Sequence, residues 1–273
     1  MELVVQFFVL LLLLGLVARG SPYQLQATLS VSSSSLGLPV LSADGSVLAT
    51  SLNTTRPVLG AAIFVRNAKN YWSEVGVIKV TMPWSSTLGV FIGISGDGST
   101  IVFTGSNLGQ GGAIAVFYRS NSSVNSWSQQ GSVLQISDSI GKAQFGISVS
   151  VSTAGNRILV GGNGDNSGVG AVWIFHRSNG VWSEEKKLTG TTSNYGFCSE
   201  ISGDGNTVFV TEEYDITDDT TEEISMKVQG FLYTYTNGAW NLNTTLLPTE
   251  AIPNNVVGNC GTISGRNDCN VGL

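Results

Sequence analysis

Histidine and cysteine are nearly missing from this sequence. Its 273 residues include one histidine, His176, and three cysteines, Cys198, Cys260 and Cys269. That scarcity excludes a nucleophile–histidine pair of the usual kind. It also leaves no His/Cys cluster with metal-ligand spacing. No Gly-x-Ser-x-Gly elbow occurs, and the glycine-rich stretches precede strand-like runs rather than helices, which excludes a phosphate cradle. Charge is scarce too: 12% of residues are charged, with 13 basic against 19 acidic and a net charge of −6. With no basic cluster, nucleic acid and anionic membrane surfaces are not expected partners. Sustained helical periodicity is absent. The one long apolar run, from Phe7 to Val17, falls short of the roughly 20 residues that cross a bilayer. Small residues Ala18 and Gly20 follow it. Residues 1–20 therefore read as a secretory signal peptide, with a membrane anchor as the alternative and the mature chain starting near Ser21.

What is present is glycine, 34 residues of it, together with abundant Ser, Thr and Asn. The best-formed stretch runs from Phe145 to Leu188 and reads as four strands. Ile147, Val149 and Val151 alternate with Ser148, Ser150 and Ser152. A turn follows at Thr153–Asn156, then a short apolar strand at Ile158–Val160 and a loop at Gly161–Gly170. Ala171–His176 is apolar on both faces, and Asn179-Gly180 is a hairpin turn, since both residues tolerate positive φ. Val181–Leu188 is the fourth strand, with charge in its middle. Strands apolar on both sides need copies of the same unit against each face.

Those copies are present. Turn glycines Gly45, Gly98, Gly155 and Gly205 are spaced by 53, 57 and 50 residues. Trp72, Trp127, Trp182 and Trp240 each follow a third strand, spaced by 55, 55 and 58. Gly37, Gly89, Gly146, Gly196 and Gly258 open the units. Periods of this size predict an all-β propeller. Four-stranded blades are expected over about 32–80, 81–136, 137–189 and 190–249. Residues 250–273 begin a fifth, so the ring is expected to be incomplete and prone to self-association through its open edge. Residues 21–30 match an outer fourth strand, because Tyr23 and Leu29 stand six apart like Trp182 and Leu188. They are read as a closing strand.

The pattern Phe-Gly-x-Ser-Val-Ser-Val-Ser, a turn, Ile-Leu-Val-Gly-Gly, a glycine-rich loop and Ala-Val-Trp-Ile-Phe resembles the FG-GAP repeat of integrin α-chain propellers. The resemblance covers most of residues 31–265 and is best at Phe145–Phe175. The opening pair varies as Leu36-Gly37, Leu88-Gly89, Tyr195-Gly196 and Val257-Gly258. The resemblance implies an extracellular adhesion or ligand-binding propeller. Integrin-type repeats often hold calcium in the first hairpin, but here each turn offers a single carboxylate, Asp44, Asp97 or Asp204, and blade three has Ala154. Calcium needs six to eight oxygen ligands, so no calcium, other metal or cofactor is expected.

The expected function is non-enzymatic recognition of an extracellular protein or glycan through the face carrying the 2–3 and 4–1 loops. Trp84, Tyr195 and Tyr214 fall in those loops and are the candidate ligand contacts. The run Glu212, Glu213, Asp215, Asp218, Asp219, Glu222 and Glu223 reads as a solvated loop, with cation binding as its alternative. His176 aligns with Val65 and Tyr118 and reads as a strand end. Sequons at Asn53, Asn121 and Asn243 are candidate glycosylation sites. The cysteines allow Cys260–Cys269 or Cys198–Cys260. The alternative function is an extracellular hydrolase or lyase on a propeller scaffold, with Glu200 the one inner-strand carboxylate. A structural fragment without a ligand is the third reading.

Overall fold

A computed structural model describes residues 35–53, 59–80, 91–105, 111–119, 126–217, 224–247, 262–263 and 269–270, with side chains set aside at 35–38, 53, 59, 214–217, 224–227 and the last two pairs. The signal peptide, the 21–30 segment, Trp84, Asn121, Cys260 and Asp218–Glu223 lie outside it, as do the side chains of Asn53, Tyr214, Asp215 and Cys269.

Four antiparallel sheets of four strands follow one another along the chain. Blade one is β1 (Ser35–Leu41), β2 (Val47–Asn53), β3 (Leu59–Arg66) and β4 (Trp72–Val80). Blade two is β5 (Ile92–Ile94), β6 (Thr100–Gly105), β7 (Ala113–Arg119) and β8 (Trp127–Gln129). Blade three is β9 (Ser148–Val151), β10 (Arg157–Gly162), β11 (Ala171–Ser178) and β12 (Val181–Thr189). Blade four is β13 (Ser199–Ile201), β14 (Thr207–Thr217), β15 (Ile224–Thr236) and β16 (Ala239–Leu246). A short pair, β17 (Thr262–Ile263) and β18 (Cys269–Asn270), lies beside β13. The first strands are consecutive neighbours, β1 beside β5, β5 beside β9 and β9 beside β13. The architecture is an all-β propeller of about four blades.

The middle strands are apolar on both faces because each face meets a different blade. In blade two, Ile101, Phe103, Ala115 and Phe117 pack toward blade one. Val102, Ile114 and Val116 on the same two strands pack toward blade three. Fully burying a side chain such as Phe103 contributes about 1.5–3 kcal/mol. The first-hairpin turns also tie the blades together: the Ala43 amide donates to Gly96 O (3.0 Å), Asp97 to Thr153 O (3.0 Å) and Thr153 to Gly203 O (2.8 Å).

The aromatic-glycine pair that opens a unit is an inter-blade plug. Phe145 and Tyr195 are 0% and 1% exposed. Each bridges in parallel to a glycine in the 2–3 loop of the preceding blade, Gly112 to Phe145 and Gly170 to Tyr195. A Cβ on Gly112 would stand 2.0 Å from Phe145 O, and one on Gly170 2.2 Å from Tyr195 O. Both glycines have positive φ, 94° and 92°, so close approach and backbone conformation each demand glycine.

Outer strands carry a second device. Register shifts leave one extra residue at Val75 in β4, Glu185 in β12 and Asn243 in β16. Such a bulge re-aims a side chain. Each bulge residue stands three past the blade's tryptophan, and Gln130 holds that place after β8. Gln130 Oε1 accepts from Trp182 Nε1 of the next blade (2.8 Å) and from Arg177 Nη1 (3.1 Å). Glu185 accepts from Trp240 Nε1 of the next blade (3.1 Å) and from Arg157 Nη2 (3.0 Å). The guanidiniums stack on the same indoles, Arg177 over Trp182 at 5.3 Å and Arg157 over Trp240 at 5.4 Å. Blade one offers Val75 in this place, which cannot accept. Trp127 Nε1 of blade two is accordingly buried without a partner.

Blade two's fourth strand is β8 alone, because Gly131 (φ 76°) breaks it and Leu134 returns to pair with Ile114. Two expectations are corrected. The loop Gly161–Gly170 contains the end of β10 and a helical turn at Asp165–Gly168. Glu212, Glu213 and Asp215 are not in a loop; β14 and β15 continue as a paired ribbon as far as Thr217 and Ile224.

A buried, unpaired indole N–H costs about 1–3 kcal/mol. Val75→Gln should therefore stabilise the chain, by about 1 kcal/mol in chemical denaturation, while Val75→Leu should not. A Val75→Gln variant less stable than Val75→Leu would contradict the seam described here.

Candidate functional site

The loop face, where described, uses its acids internally. Glu212 is fully buried. Its carboxylate accepts from the amides of Thr191 and Thr192 (the latter 2.7 Å), from Thr191 Oγ1 and from Gln229 Nε2 (2.8 Å). Glu213 accepts from Asn194 Nδ2 at 2.5 Å, and its carbonyl from Thr192 Oγ1 at 2.7 Å. Together they clamp the 4–1 loop entering blade four. Asp165 does the same for blade three: Oδ1 accepts from the Ile140 amide (2.7 Å) and Oδ2 pairs with Lys187 (2.9 Å).

Tyr195 does not stand at a ligand surface. It packs in the core between blades three and four, its hydroxyl 3.1 Å from that of Tyr233. Burial pushes its ionisation far above the ordinary phenol range, with Tyr233 adding to the shift. The expectation of Tyr195 as a ligand contact is corrected on that ground. Phe145, its counterpart in blade three, is just as buried, and that equivalence is visible in the sequence.

The turn aspartates are likewise engaged. Ser42 Oγ donates to Asp44 Oδ1 (2.6 Å), Ser95 Oγ to Asp97 (2.5 Å) and Ser202 Oγ to Asp204 (2.5 Å). Where blade three has Ala154, Ser152 Oγ donates instead to Asn156 Oδ1 (2.9 Å). Burial works to raise Asp44 and Asp204, but serine hydroxyl and backbone N–H bonds outweigh it and hold both below the ordinary carboxylate value. Among the described residues no group of three His, Cys, Asp or Glu could hold a metal ion. His176 is half-buried in β11, opposite Arg157 and Ser183. Cys198 is disulfide-bonded, and the other cysteines are Cys260 and Cys269.

The inner strands hold the remaining polar cluster. On β9, Ser148 and Ser150 face the edge of β13. Ser148 Oγ donates to Gly196 O (3.0 Å) and lies 2.8 Å from Ser199 Oγ. Ser150 Oγ accepts from the Ile201 amide (3.2 Å) and donates to Glu200 Oε2 (2.7 Å). Glu200 Oε1 takes no hydrogen bond from any described residue. The residue is partly exposed, and among the described residues no cation pairs with it. Burial raises its ionisation above the ordinary carboxyl value, and the Ser150 hydrogen bond only partly opposes this. On the neighbouring inner strand, β5 offers only Ile92, Gly93 and Ile94. Glu200 is thus a half-enclosed carboxyl, held among the described residues by Ser150.

No family model matches the chain, and no curated protein sequence does. Solved structures do, at low identity. TolB from Acinetobacter baumannii is 15% identical with a TM-score of 0.40, covering 80% of this chain and 55% of that one. The propeller domain of the trilobed protease from Pyrococcus furiosus, which has an open velcro topology, is 15% identical with a TM-score of 0.44, covering 80% and 58%. A periplasmic gluconolactonase from Pseudomonas aeruginosa is 12% identical with a TM-score of 0.38, covering 84% and 90%. The chain spans just over half the length of the first two. These likenesses concern the fold alone. The expectation that the chain is not an enzyme is nevertheless corrected: a lactonase stands among its propeller neighbours, so the scaffold gives no ground for excluding catalysis.

A carboxyl whose folded value is raised favours folding most when protonated. Its contribution is present below the ordinary value of 4.5 and is lost as pH rises through the raised folded value. Glu200→Gln should therefore melt higher than the parent at pH 8, and the difference should close toward pH 4. Equal melting temperatures across that range would contradict the enclosure of Glu200.

Proposed function

We propose that this chain is an extracytoplasmic propeller that binds a small hydroxyl-bearing ligand at its inner strands, with Glu200 as the proton-exchanging group. The observation that supports this reading is Glu200 itself, half-buried, with its ionisation raised by burial and, among the described residues, Ser150 as its one side-chain hydrogen-bond partner. Groups whose ionisation is shifted by burial beside an open position are candidates for function. Glycoside cleavage uses two carboxyls, and the described inner strands carry one. A single carboxylate fits general-base delivery of water to an activated carbonyl, as in an ester or lactone. In that step Glu200 takes a proton from water as its oxygen bonds to the carbonyl carbon. The proton then passes to the leaving alkoxide as the acyl C–O bond breaks.

Recognition of a protein partner is the second reading. It is favoured by the β14–β15 ribbon, which runs beyond the clamped pair Glu212–Glu213 to Thr217 and carries Tyr214. The adhesion function implied by the FG-GAP resemblance belongs with this reading.

A panel of sugar lactones and aryl esters tests the first reading. Activity should rise with pH through the raised ionisation of Glu200. Glu200→Gln should lower kcat about 100-fold or more, the scale of a lost general base. Ser150→Ala should move the inflection to higher pH, because its hydrogen bond favours the charged form. Turnover unaffected by Glu200→Gln would overturn the assignment.

A further inference from the structure

The outermost strand of each blade is a free edge, and free edges template association unless guarded. Three blades show a guard. Strand β4 carries Glu74 and Lys79, and β12 carries Glu184, Glu185, Lys186 and Lys187. Strand β8 is only three residues long. Strand β16 has neither device: its eight residues, AWNLNTTL, include no charge. Leu242 within it is 52% exposed, and Leu247 just past its end is 61% exposed. At the centre stands Asn243-Thr244-Thr245, an acceptor sequence for N-linked glycan, and all three residues are exposed. Asn243 is also the bulge residue, so the strand is locally opened where the acceptor amide stands.

We propose that Asn243 is N-glycosylated and that its glycan is the guard of the blade-four edge. In the transfer, Asn243 Nδ2 bonds to C1 of a sugar carried on a lipid diphosphate. The C1–O bond to the diphosphate breaks, and an amide proton leaves with the lipid diphosphate. The glycan extends over Leu242 and Leu247, hydrating an edge strand that is neither short nor charged. It also has a geometric consequence. Gln130 and Glu185, the counterparts of Asn243, each take an indole N–H of the following blade. A glycan at Asn243 occupies that place, so this bulge residue is not available to take an indole N–H as its counterparts do. The proposal rests on the reading of residues 1–20 as a signal peptide and is independent of Glu200.

The test is expression of the full chain in a eukaryotic secretory host, with peptide mapping before and after enzymatic removal of N-glycans. That enzyme leaves Asp where a glycosylated Asn stood. The expected result is a glycopeptide containing Asn243, converted to Asp on treatment. Unmodified Asn243 in secreted protein overturns the proposal, whatever the state of Asn53 and Asn121. An unmodified chain retained inside the cell overturns it as well, and marks the signal-peptide reading as the fault. Thr245→Ala removes the acceptor sequence and leaves Asn243 in place. By light scattering it should form higher-order species, and adding Leu242→Lys should return it to the parent's size. Thr245→Ala protein as monodisperse as the glycosylated parent would overturn the guarding role.

Discussion

Blades two, three and four are held in register by a recurring seam, in which a residue at the outer strand accepts the indole N–H of the next blade's tryptophan. The tryptophan alone supplies apolar area, which is not directional. The hydrogen bond fixes where along the strand the area is applied. At Glu185 a β-bulge aims the acceptor across the gap, and at Gln130 the end of β8 leaves the side chain free to reach it. An arginine completes the arrangement by stacking on the same indole and sharing the same acceptor. In blade four Tyr235, the residue paired with Trp240, stands where the other blades have Arg66, Arg119 and Arg177. There Arg157 of blade three reaches across instead, stacking on Tyr235 at 4.1 Å and Trp240 at 5.4 Å. The chemistry of the seam is preserved although the residue supplying it has moved.

The seam determines what the inner strands can be. With blades held from outside, β5, β9 and β13 need only small or β-branched residues to pass one another. Gly93 lies against Val149 and Val151, where a Cβ would come within 2.9 Å of the Val151 side chain. Ser148 and Ser150 are therefore not packing requirements but satisfied polar groups turned to the edge of β13. Glu200 is the group in this row that stability does not explain. The loop face presents the reverse case: Asp165, Glu212 and Glu213 look like ligands in a list of residues, yet each is consumed in holding a neighbouring loop.

The repeat of four-stranded units and the two-faced middle strands were legible in the sequence, because glycine, tryptophan and turn spacings are set by the same contacts from copy to copy. The seam was not. The position three past the tryptophan is Gln, Glu, Val or Asn in different blades, so no residue type marks it, and only the offset from tryptophan would have found it. Tyr195 misled because an aromatic before a glycine in a loop looks exposed, whereas the loop folds it inward against Gly170. The acid run misled in two ways. Glu212 and Glu213 are strand residues, since β14 and β15 pair well past the blade body. Their charge is also enclosed by hydroxyl and amide donors that stand some twenty residues earlier in the chain.

The most direct test of the seam is a double-mutant cycle at Trp182 and Gln130, using Trp182→Phe, Gln130→Leu and the pair, followed by denaturant unfolding. The Arg177 bond to Gln130 survives in Trp182→Phe, so the cycle isolates the indole contact. The account predicts a coupling energy of about 1 kcal/mol. Effects that add within about 0.5 kcal/mol, the scatter seen between independent sites, would contradict it.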